Sequence, residues 1–346
     1  MKNIDNPGLF ADKLTSWYRK NKRNLPFRNT HNPYNILISE LMAQQTQMRT
    51  LIPYYERFVN RFPDFQTLAD ADVSEVLKYW EGLGYYNRAR YLHETARTVI
   101  DEFQGDFPET LTAIKQLKGV GDYTASAIHS IAFNQPSLAV DGNVSRVISR
   151  YMGLKADVLK QGTRKEIADL LRPAIEQSVP RDFTQALMEL GALVCTKEPS
   201  CEACPLKANC FAYKHDMQGV FPVKAKSKPK TTETLDVVVA EYNGKFVLRK
   251  RPDHGLLAGM YEFPQFVGGS DHSRLPSLLG TNYHGVLKPV GHVKHVFTHR
   301  IWSMQIFHLT LEKAPNDLYD LRTFPYAIAT AHRKIITLLE EKNLLP

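Results

Sequence analysis

The sequence lacks long apolar runs. None of its 346 residues belongs to a stretch approaching the roughly 20 consecutive apolar residues of a membrane-spanning helix. The first residues, MKNIDNPGLFADKL, contain no apolar core of a secretory signal, so we expect a cytoplasmic protein without a membrane partner. There is no internal repeat and no low-complexity segment, which excludes a repeat architecture. The length is that expected of a globular protein with two domains.

Cysteine is scarce, and all of it lies in one short segment. The only cysteines are Cys195, Cys201, Cys204 and Cys210, separated by five, two and five residues. Structural disulfides are rare in the cytoplasm, so four gathered thiols indicate a metal site. Zinc sites typically use two C-x2-C pairs, whereas here one such pair is flanked by single cysteines. This spacing favours a compact [4Fe–4S] cluster, with zinc left open as the alternative.

The charge balance is basic. Lysine and arginine number 44 against 36 aspartate and glutamate residues, which gives a net charge of +8. Such an excess suits a polyanionic partner such as nucleic acid. On charge alone, a basic soluble protein without such a partner fits equally well.

The pattern of apolar residues divides the chain. Three- and four-residue spacing through residues 9–215 predicts helices. The stretch GVFPVKAKSKPKTT is typical of a linker. Beyond it, LDVVVAEYNGKFVLRKR predicts a β-hairpin turning at Asn243-Gly244, HVFTHRIWSMQIFHLTLE a second strand pair, and AIATAHRKIITLLEEK an amphipathic helix. The predicted limits are a helical domain at 1–218, a linker at 219–232 and an α+β domain at 233–346.

Two further motifs lie within the helical region. In LKGVGDYTASAI, residues 117–128, Gly119 and Gly121 permit a tight turn between two helices. Amides at the start of the second helix would then face an anion, and this helix-hairpin-helix pattern predicts contact with a DNA phosphate. In LAVDGNVSRVISRY, Asp141 precedes a helix, so it is either a solvated N-cap or a functional carboxylate.

The hairpin, Asp141 and the four-cysteine loop, in this order, resemble the helix-hairpin-helix DNA glycosylase superfamily. Within it the chain is similar to the adenine DNA glycosylases, which remove adenine mispaired with 8-oxoguanine. The similarity extends through LPFRNTHNPYNILISELMAQQTQ (25–47), PYYERF (53–58), GLGYYNRAR (82–90), VDGNVSRV (140–147) and ALMELGALVC (186–195). It implies a multi-domain protein, with an all-α helix-hairpin-helix domain that carries a [4Fe–4S] cluster loop and an α+β Nudix-like C-terminal domain.

The resemblance implies catalytic roles for four residues. Glu40 would protonate N7 of the flipped adenine, and burial in an apolar helix would raise its pKa and hold it protonated. Asp141 would stay ionised and stabilise the oxocarbenium ion or trap it covalently. Tyr123 and Asn143 would order these groups through hydrogen bonds. On local sequence alone, an exposed helical Glu40, a surface Tyr123 and a solvated Gln45 are the favoured interpretations. The joint match of the three residues to one family pattern reverses that preference.

The resemblance also implies the partner. Arg28 would hold the adenine, while Gln45 and Tyr85 would fill the space left in the duplex, because stacked adenine hides its glycosidic bond. The expected partner is double-stranded DNA containing adenine opposite 8-oxoguanine or guanine. The expected protein is a monomer associated with the nucleoid.

Two other functions remain open. Endonuclease III, a related glycosylase and lyase, resembles the helical half but has a lysine where Tyr123 stands. A phenol forms no Schiff base with the sugar aldehyde, so Tyr123 predicts base removal without efficient strand cleavage. A DNA-lesion-binding protein without catalysis is the other alternative, and the presence of both Glu40 and Asp141 favours the enzyme.

The C-terminal half carries a recognition motif. KRPDHGLLAGMYEFP, residues 250–264, resembles the Nudix-like domain of the same family, but the metal-binding glutamates of a Nudix box are not evident. We therefore expect a recognition module. HVFTHRIW is similar to the family loop that contacts 8-oxoguanine, with Phe297 as a wedge and with Thr298 and His299 as hydrogen-bonding groups.

Three features depart from the family pattern. Thr298 stands where serine is usual, and its extra methyl group alters the fit at the lesion. Phe27 replaces a usual tryptophan, which alters stacking or packing around the adenine. The first cysteine gap is five residues where the family commonly has six, which tightens the loop.

Overall fold

The chain forms two compact units in the computed structural model, which describes residues 3–225, 229–269, 275–280, 283 and 286–345. The first unit comprises Met1–Asp70 and Tyr91–Lys226, and the second comprises Ala71–Arg90 and Ser227–Pro346. Residues 71–90, predicted as part of the helical domain at 1–218, belong here with the C-terminal residues. Residues 226–228 of the predicted linker lie outside the described residues.

Helices form the described part of the first unit, which contains no strand. The helices up to residue 214 are α1 (Pro7–Asn21), α2 (Pro33–Ala43), α3 (Met48–Arg61), α4 (Phe65–Asp70), α5 (Val73–Trp80), α6 (Asn87–Phe103), α7 (Leu111–Gln116), α8 (Asp122–Ile131), α9 (Gly142–Met152), α10 (Gln161–Glu176), α11 (Pro180–Leu193) and α12 (Phe211–Lys214). Helix α5 and the first turn of α6 belong to the second unit. Helices α1, α2 and α11 begin with a proline, at a position where no intrahelical N–H bond is lost. No helix in the described ranges is long and apolar enough to cross a membrane.

Helix α11 is central to the first unit. It packs against α1, α8 and α9, and its buried residues occur on all sides of the helix. Phe183, Ala186 and Leu190 are fully buried, which is the pattern of a helix enclosed by others. Helices α8 and α9 are therefore both anchored to one buried central helix.

The second unit contains a six-stranded sheet with the order β6-β7-β1-β2-β8, and β5 also pairs with β1. Its strands and those of a small second sheet (β3 with β4) are β1 (Thr231–Tyr242), β2 (Lys245–Val247), β3 (Arg249–Lys250), β4 (Tyr261–Glu262), β5 (Gln265–Val267), β6 (Lys288–Val296), β7 (Arg300–Thr310) and β8 (Leu318–Tyr319). Helix α13 (Leu275–Leu279) precedes β6, and α14 (Thr330–Glu341) follows β8 and packs against β6. The longest pairing joins β1 and β7 in parallel, from Thr231 opposite Arg300 to Glu241 opposite Thr310.

The local predictions for the C-terminal half are confirmed. Strands β1 and β2 form the expected hairpin, and Asn243 and Gly244 have φ values of 47° and 75°, as its two-residue turn requires. Strands β6 and β7 pair antiparallel on either side of Phe297–His299. The terminal amphipathic helix is α14. The second unit is therefore α+β, as expected.

Candidate active site

A cleft of about 1460 Å³ opens in the first unit between α2, α8, α9, α10 and α11. It brings together eight of the residues that the sequence selected: Arg28, Glu40, Gln45, Gly119, Gly121, Tyr123, Asp141 and Asn143. They come from positions more than one hundred residues apart in the chain, so the fold, and not the local sequence, assembles this group.

Glu40 lies in the apolar helix α2 and faces the cleft. Tyr123 Oη donates a hydrogen bond to Glu40 Oε2 at 2.7 Å. Burial raises the pKa of Glu40, and the charge of Asp141 adds to this, while the Tyr123 hydrogen bond and the charge of Arg28 oppose it. The net direction is upward, which favours the protonated carboxylic acid.

Asp141 is the N-cap of α9. It also lines the cleft, so the capping role and a functional role are compatible with one position of the side chain. Its Oδ1 accepts the Val144 N–H at 2.7 Å, and its Oδ2 accepts Asn143 Nδ2 at 2.9 Å. Burial raises the pKa of Asp141, and hydrogen bonds from the Val144 amide and from Asn143 oppose this. Asp141 accepts several amide donors where Glu40 accepts one phenol, so Asp141 is the carboxylate better stabilised when ionised.

Tyr123 remains a hydrogen-bond donor. Burial raises its pKa well above the usual range, and the charges of Glu40 and Asp141 raise it further. The phenol therefore stays protonated at every physiological pH. Tyr123 lies on α8 two residues after Gly121, so its hydrogen bond joins the Glu40 carboxyl to the helix that follows the hairpin turn.

The two hairpin glycines differ. Gly119 has a φ of +73°, and a Cβ at this position would lie 2.6 Å from the Tyr91 ring, so both backbone and packing require glycine there. Gly121 has a φ of −81°, which any residue adopts, and a Cβ there would meet nothing within 4 Å. The turn itself therefore requires glycine at position 119 only, and a role of Gly121 in close approach to a partner stays a prediction. As the N-cap of α8, Gly121 has no side chain to cap the first-turn amides, which leaves them open toward the cleft.

The four cysteines are free thiols of intermediate burial and line one cavity beside α9. Apolar side chains complete the wall, among them Val147, Leu190 and Leu206. In the described ranges no group of three or more His, Cys, Asp or Glu side chains is arranged to hold a metal ion. The thiolate donor set and the apolar wall nevertheless fit an iron–sulfur cluster, which takes four cysteine ligands.

Two arginines of α9 hold the cysteine loop. Arg150 donates to the Thr196 and Lys197 carbonyls at 2.6 and 3.1 Å, and its Nη1 lies 3.4 Å from Cys195 Sγ. Arg146 donates to the carbonyls of Gly191 and Cys195 and to the side chain of Asn143. The cysteine loop and the N-terminus of α9, where Asp141 lies, are therefore joined by direct hydrogen bonds.

The second unit holds the other predicted contacts. The Oη of Tyr85, which is 47% exposed, lies 2.5 Å from Thr298 Oγ1 in the β6–β7 turn. His299 is exposed in the same turn, while the Phe297 ring packs against Trp302 and His295, with centroid distances of 5.0 and 4.5 Å. In this structure Phe297 supports the turn from the core side.

Two family patterns match the chain. Residues 38–173 match the HhH-GPD superfamily of base excision DNA repair proteins, and residues 237–338 match the NUDIX domain. Over 367 residues the chain is 36% identical to "Adenine DNA glycosylase" of Mus musculus, an alignment that covers 88% of this chain and 71% of the mouse protein. The chain belongs to the adenine DNA glycosylase family.

Solved structures confirm the fold of the helical part. A thermostable thymine-DNA glycosylase superposes with a TM-score of 0.54 at 30% identity, covering 60% of this chain and 97% of that structure. An endonuclease III–DNA complex superposes with a TM-score of 0.52 at 22% identity, covering 62% of this chain and all of that structure. The expected combination of a helix-hairpin-helix glycosylase fold and a Nudix-like domain is confirmed.

In this adenine DNA glycosylase, one residue that binds the cleft residue Arg28 and one residue that lines the cleft were not predicted from the sequence. Glu189, on α11, is fully buried and accepts from Arg28 Nη2 at 2.8 Å and from Arg23 Nε at 2.7 Å. Gln185, also on α11, is 7% exposed and lines the same cleft. A carboxylate inside the apolar run ALMELGALVC was the available signal for Glu189, because a buried carboxylate requires a cationic partner.

The Phe27 departure has a structural outcome. Phe27 lines the cleft and packs edge-on against Tyr55 of α3, with ring centroids 5.3 Å apart. An aromatic side chain is therefore kept on this wall of the adenine DNA glycosylase cleft, with a smaller ring than tryptophan.

Proposed function

We propose that this protein removes adenine paired with 8-oxoguanine or guanine by hydrolysing its N-glycosidic bond, without efficient strand cleavage. The observation that carries the proposal is the Tyr123–Glu40 hydrogen bond at 2.7 Å, in one cleft with Asp141 and Asn143. A buried carboxylic acid and a hydrogen-bonded carboxylate are the two groups that glycosyl cleavage uses. Membership of the adenine DNA glycosylase family supports the choice of adenine as the base.

The chemistry follows from the two carboxyl groups. Glu40 donates its proton to N7 of the flipped adenine, which accepts the electron pair of the breaking C1′–N9 bond. Asp141 stabilises the positive charge that develops on the sugar, or bonds to C1′ until water replaces it. In either case the hydroxyl of a water molecule bonds to C1′, and the proton which that water loses restores the acid form of Glu40. Tyr123 holds the Glu40 carboxyl through its hydroxyl, and Asn143 holds the Asp141 carboxylate at 2.9 Å. The products are free adenine and an abasic site.

The absence of an amine at position 123 supports a monofunctional enzyme. A lyase step requires a nucleophilic amine that forms a Schiff base with the sugar aldehyde. The residue facing Glu40 is Tyr123, whose phenol stays protonated because burial raises its pKa. Base removal therefore ends at the abasic site.

Contacts with double-stranded DNA are assigned by the same proposal. The uncapped first-turn amides of α8, next to Gly121, would bind a phosphate of the backbone. Arg28, fixed by Glu189, would hold the adenine in the cleft, and Gln45 and Tyr85 would fill the space that the adenine leaves in the duplex. Tyr85, Thr298 and His299 would meet the opposite base. The protein would act as a monomer in the cytoplasm, at the nucleoid.

The four cysteines would bind a [4Fe–4S] cluster. Their common cavity, its apolar wall and the arginine hydrogen bonds to the surrounding backbone support this assignment over four unligated thiols. The cluster would supply a rigid crosslink of the loop. The residues of this chain that would transmit that rigidity are Arg146 and Arg150, which bond to the loop backbone from α9.

A single-turnover assay on three duplexes tests the proposal. Adenine should be released opposite 8-oxoguanine and opposite guanine, and a duplex with thymine glycol should stay intact. Release of thymine glycol with strand cleavage would instead indicate an endonuclease III-like enzyme. DNA binding without release of any base would indicate a lesion-binding protein, and either result would contradict the proposal.

A further inference from the structure

The loop that carries Tyr85 has an unusual backbone. Between α5 and α6, Gly82, Gly84 and Tyr85 have φ values of 103°, 71° and 50°. A tyrosine rarely adopts a positive φ, and such a residue persists only where its surroundings hold it. The contacts that hold this loop therefore determine where the Tyr85 ring points.

Glu81, the first residue of the loop, is bound by the C-terminal part of the second unit. Arg333 of α14 donates to both carboxylate oxygens, at 2.6 Å from Nε and 3.0 Å from Nη2, and the Ile328 N–H donates at 3.0 Å. Lys78 Nζ lies 3.1 Å from Glu81 Oε2 and also donates to the Phe324 carbonyl at 3.2 Å. The Glu81 side chain is only 11% exposed, whereas the Arg333 side chain is 40% exposed, so a largely buried carboxylate is held by a half-exposed guanidinium.

Further contacts hold the rest of the loop to the same unit. Tyr86 Oη lies 2.8 Å from Thr330 Oγ1 and accepts the Gly82 N–H at 3.1 Å. Arg88 donates to the Gly84 carbonyl at 2.9 Å, and its guanidinium lies 5.4 Å from the Tyr85 ring centroid. The Tyr85 hydroxyl then reaches Thr298 in the β6–β7 turn.

We infer that Glu81 is a positioning residue: through Arg333 and the Ile328 amide it fixes the loop so that Tyr85 meets Thr298 and the two face the opposite base together. The C-terminal residues thus act twice in base selection, once through the turn that bears Thr298 and once by holding Tyr85. The inference rests on the proposed function for its effect on selection, but the effect on the loop does not depend on that function.

The test uses the full chain with Glu81→Gln, Arg333→Gln and the double substitution. The matched control is Arg322→Gln, which removes an exposed ion pair with Asp320 in the same unit. Hydrogen exchange of the free protein is measured by mass spectrometry on peptides spanning residues 79–90. Each single variant should speed exchange there about 10-fold, because a closed loop that loses a partly buried charged contact opens more often. The double variant should add little, and the control should match wild type.

The second measurement is the ratio of single-turnover rates on adenine opposite 8-oxoguanine and opposite guanine. Glu81→Gln and Arg333→Gln should lower this ratio about 10-fold, an effect of the size expected for one lost buried contact. Unchanged exchange in peptides 79–90 would overturn the inference about the loop. Faster exchange with an unchanged ratio would overturn the role in selection. If the wild-type protein releases no adenine, the proposed function is wrong. The exchange measurement still tests whether Glu81 and Arg333 hold the loop.

Discussion

Arg146 donates a hydrogen bond from Nε to the backbone carbonyl of Cys195 at 2.7 Å. Its Nη2 donates at 2.8 Å to the side-chain carbonyl of Asn143, the residue whose amide holds Asp141. One guanidinium thus bonds to the cysteine loop and to the catalytic end of α9. A change in the position of the loop therefore reaches the Asp141 carboxylate through two side chains.

Arg146→Gln should slow adenine release on the order of 10- to 100-fold, because a lost charge-assisted hydrogen bond costs about 1.5–3 kcal/mol. Single-turnover rates and iron content are measured together, so that loss of the cluster is separated from misplacement of Asn143. Arg172→Gln, which removes the exposed pair with Asp169, is the control and should keep the wild-type rate. A wild-type rate for Arg146→Gln would show that Asn143 is held adequately without it.

The cysteine loop predicts a measurable cofactor. Protein purified without oxygen should be yellow-brown, with broad absorption near ~400 nm and about four irons per chain. Cys204→Ser should lose most of the iron and the colour. Stoichiometric zinc without iron in the wild-type protein would contradict the assignment.

Glu40→Gln should reduce adenine release by at least ~10²-fold while DNA binding persists, because the amide keeps the shape but donates no proton to N7. If Glu40→Gln released adenine at the wild-type rate, Glu40 would not be the acid.

The single-turnover rate of the wild-type protein should fall at both high and low pH. The active Glu40 is the protonated form, and burial raises its pKa, so activity is present below that raised pKa and lost as the pH rises through it.

The acidic side of the same profile reports Asp141, whose active form is ionised. Burial raises the pKa of Asp141, so activity should fall already at a pH above the usual aspartate range as the pH decreases through that pKa. Together, the two titrations predict a bell-shaped dependence of the single-turnover rate on pH. A rate that stayed constant as the pH decreased through this range would contradict the requirement for an ionised Asp141.

Tyr123→Lys should give the protein a lyase activity. The amine would lie beside the abasic product and form a Schiff base, which borohydride traps as a covalent adduct with DNA. Wild type should trap weakly or not at all, and Tyr123→Phe, which lacks both hydroxyl and amine, is the control. Equal trapping by wild type and Tyr123→Lys would mean that another amine performs the step.

The two hairpin glycines provide a matched pair. Gly119→Ala should destabilise the fold, since positive φ alone costs about 1–2 kcal/mol for a residue with a Cβ, and the Tyr91 ring must also move. Gly121→Ala should stay within about 0.5 kcal/mol of wild type in thermal unfolding, because its Cβ would point into open space. It should nevertheless weaken DNA binding, measured at one salt concentration. Equal destabilisation of both variants would contradict the distinction.

The sequence predicted local structure where a short motif has its own physical cause. Asn243-Gly244 adopts the two positive φ values that a tight hairpin needs, whatever surrounds it. Asp141 caps α9 because an aspartate before a helix accepts the first free amides. Both features depend on fewer than six consecutive residues, so pattern alone was sufficient.

Contacts between distant segments could not be predicted in this way. Glu189 binds Arg28 across 161 positions of the chain, and the residues next to Arg28 in the sequence do not indicate which carboxylate it binds. Glu81 and Arg333 are 252 positions apart. Such pairs follow from how helices pack, and packing is decided by the whole core. The difference between Gly119 and Gly121 is also invisible in the motif, because only the backbone shows that position 119 has a positive φ and position 121 does not.

The grouping of residues 71–90 with the C-terminal part of the chain bears on how the protein is made. During synthesis this segment leaves the ribosome long before Ser227, the start of the rest of its unit, and the residues 91–226 of the first unit come between them. The first unit can therefore fold before the strands of the second unit, with which residues 71–90 pack, have been synthesised. A protease that cut the finished protein within the predicted linker at 219–232 would therefore release no separate C-terminal fragment, because residues 71–90 of the N-terminal fragment pack with the C-terminal residues.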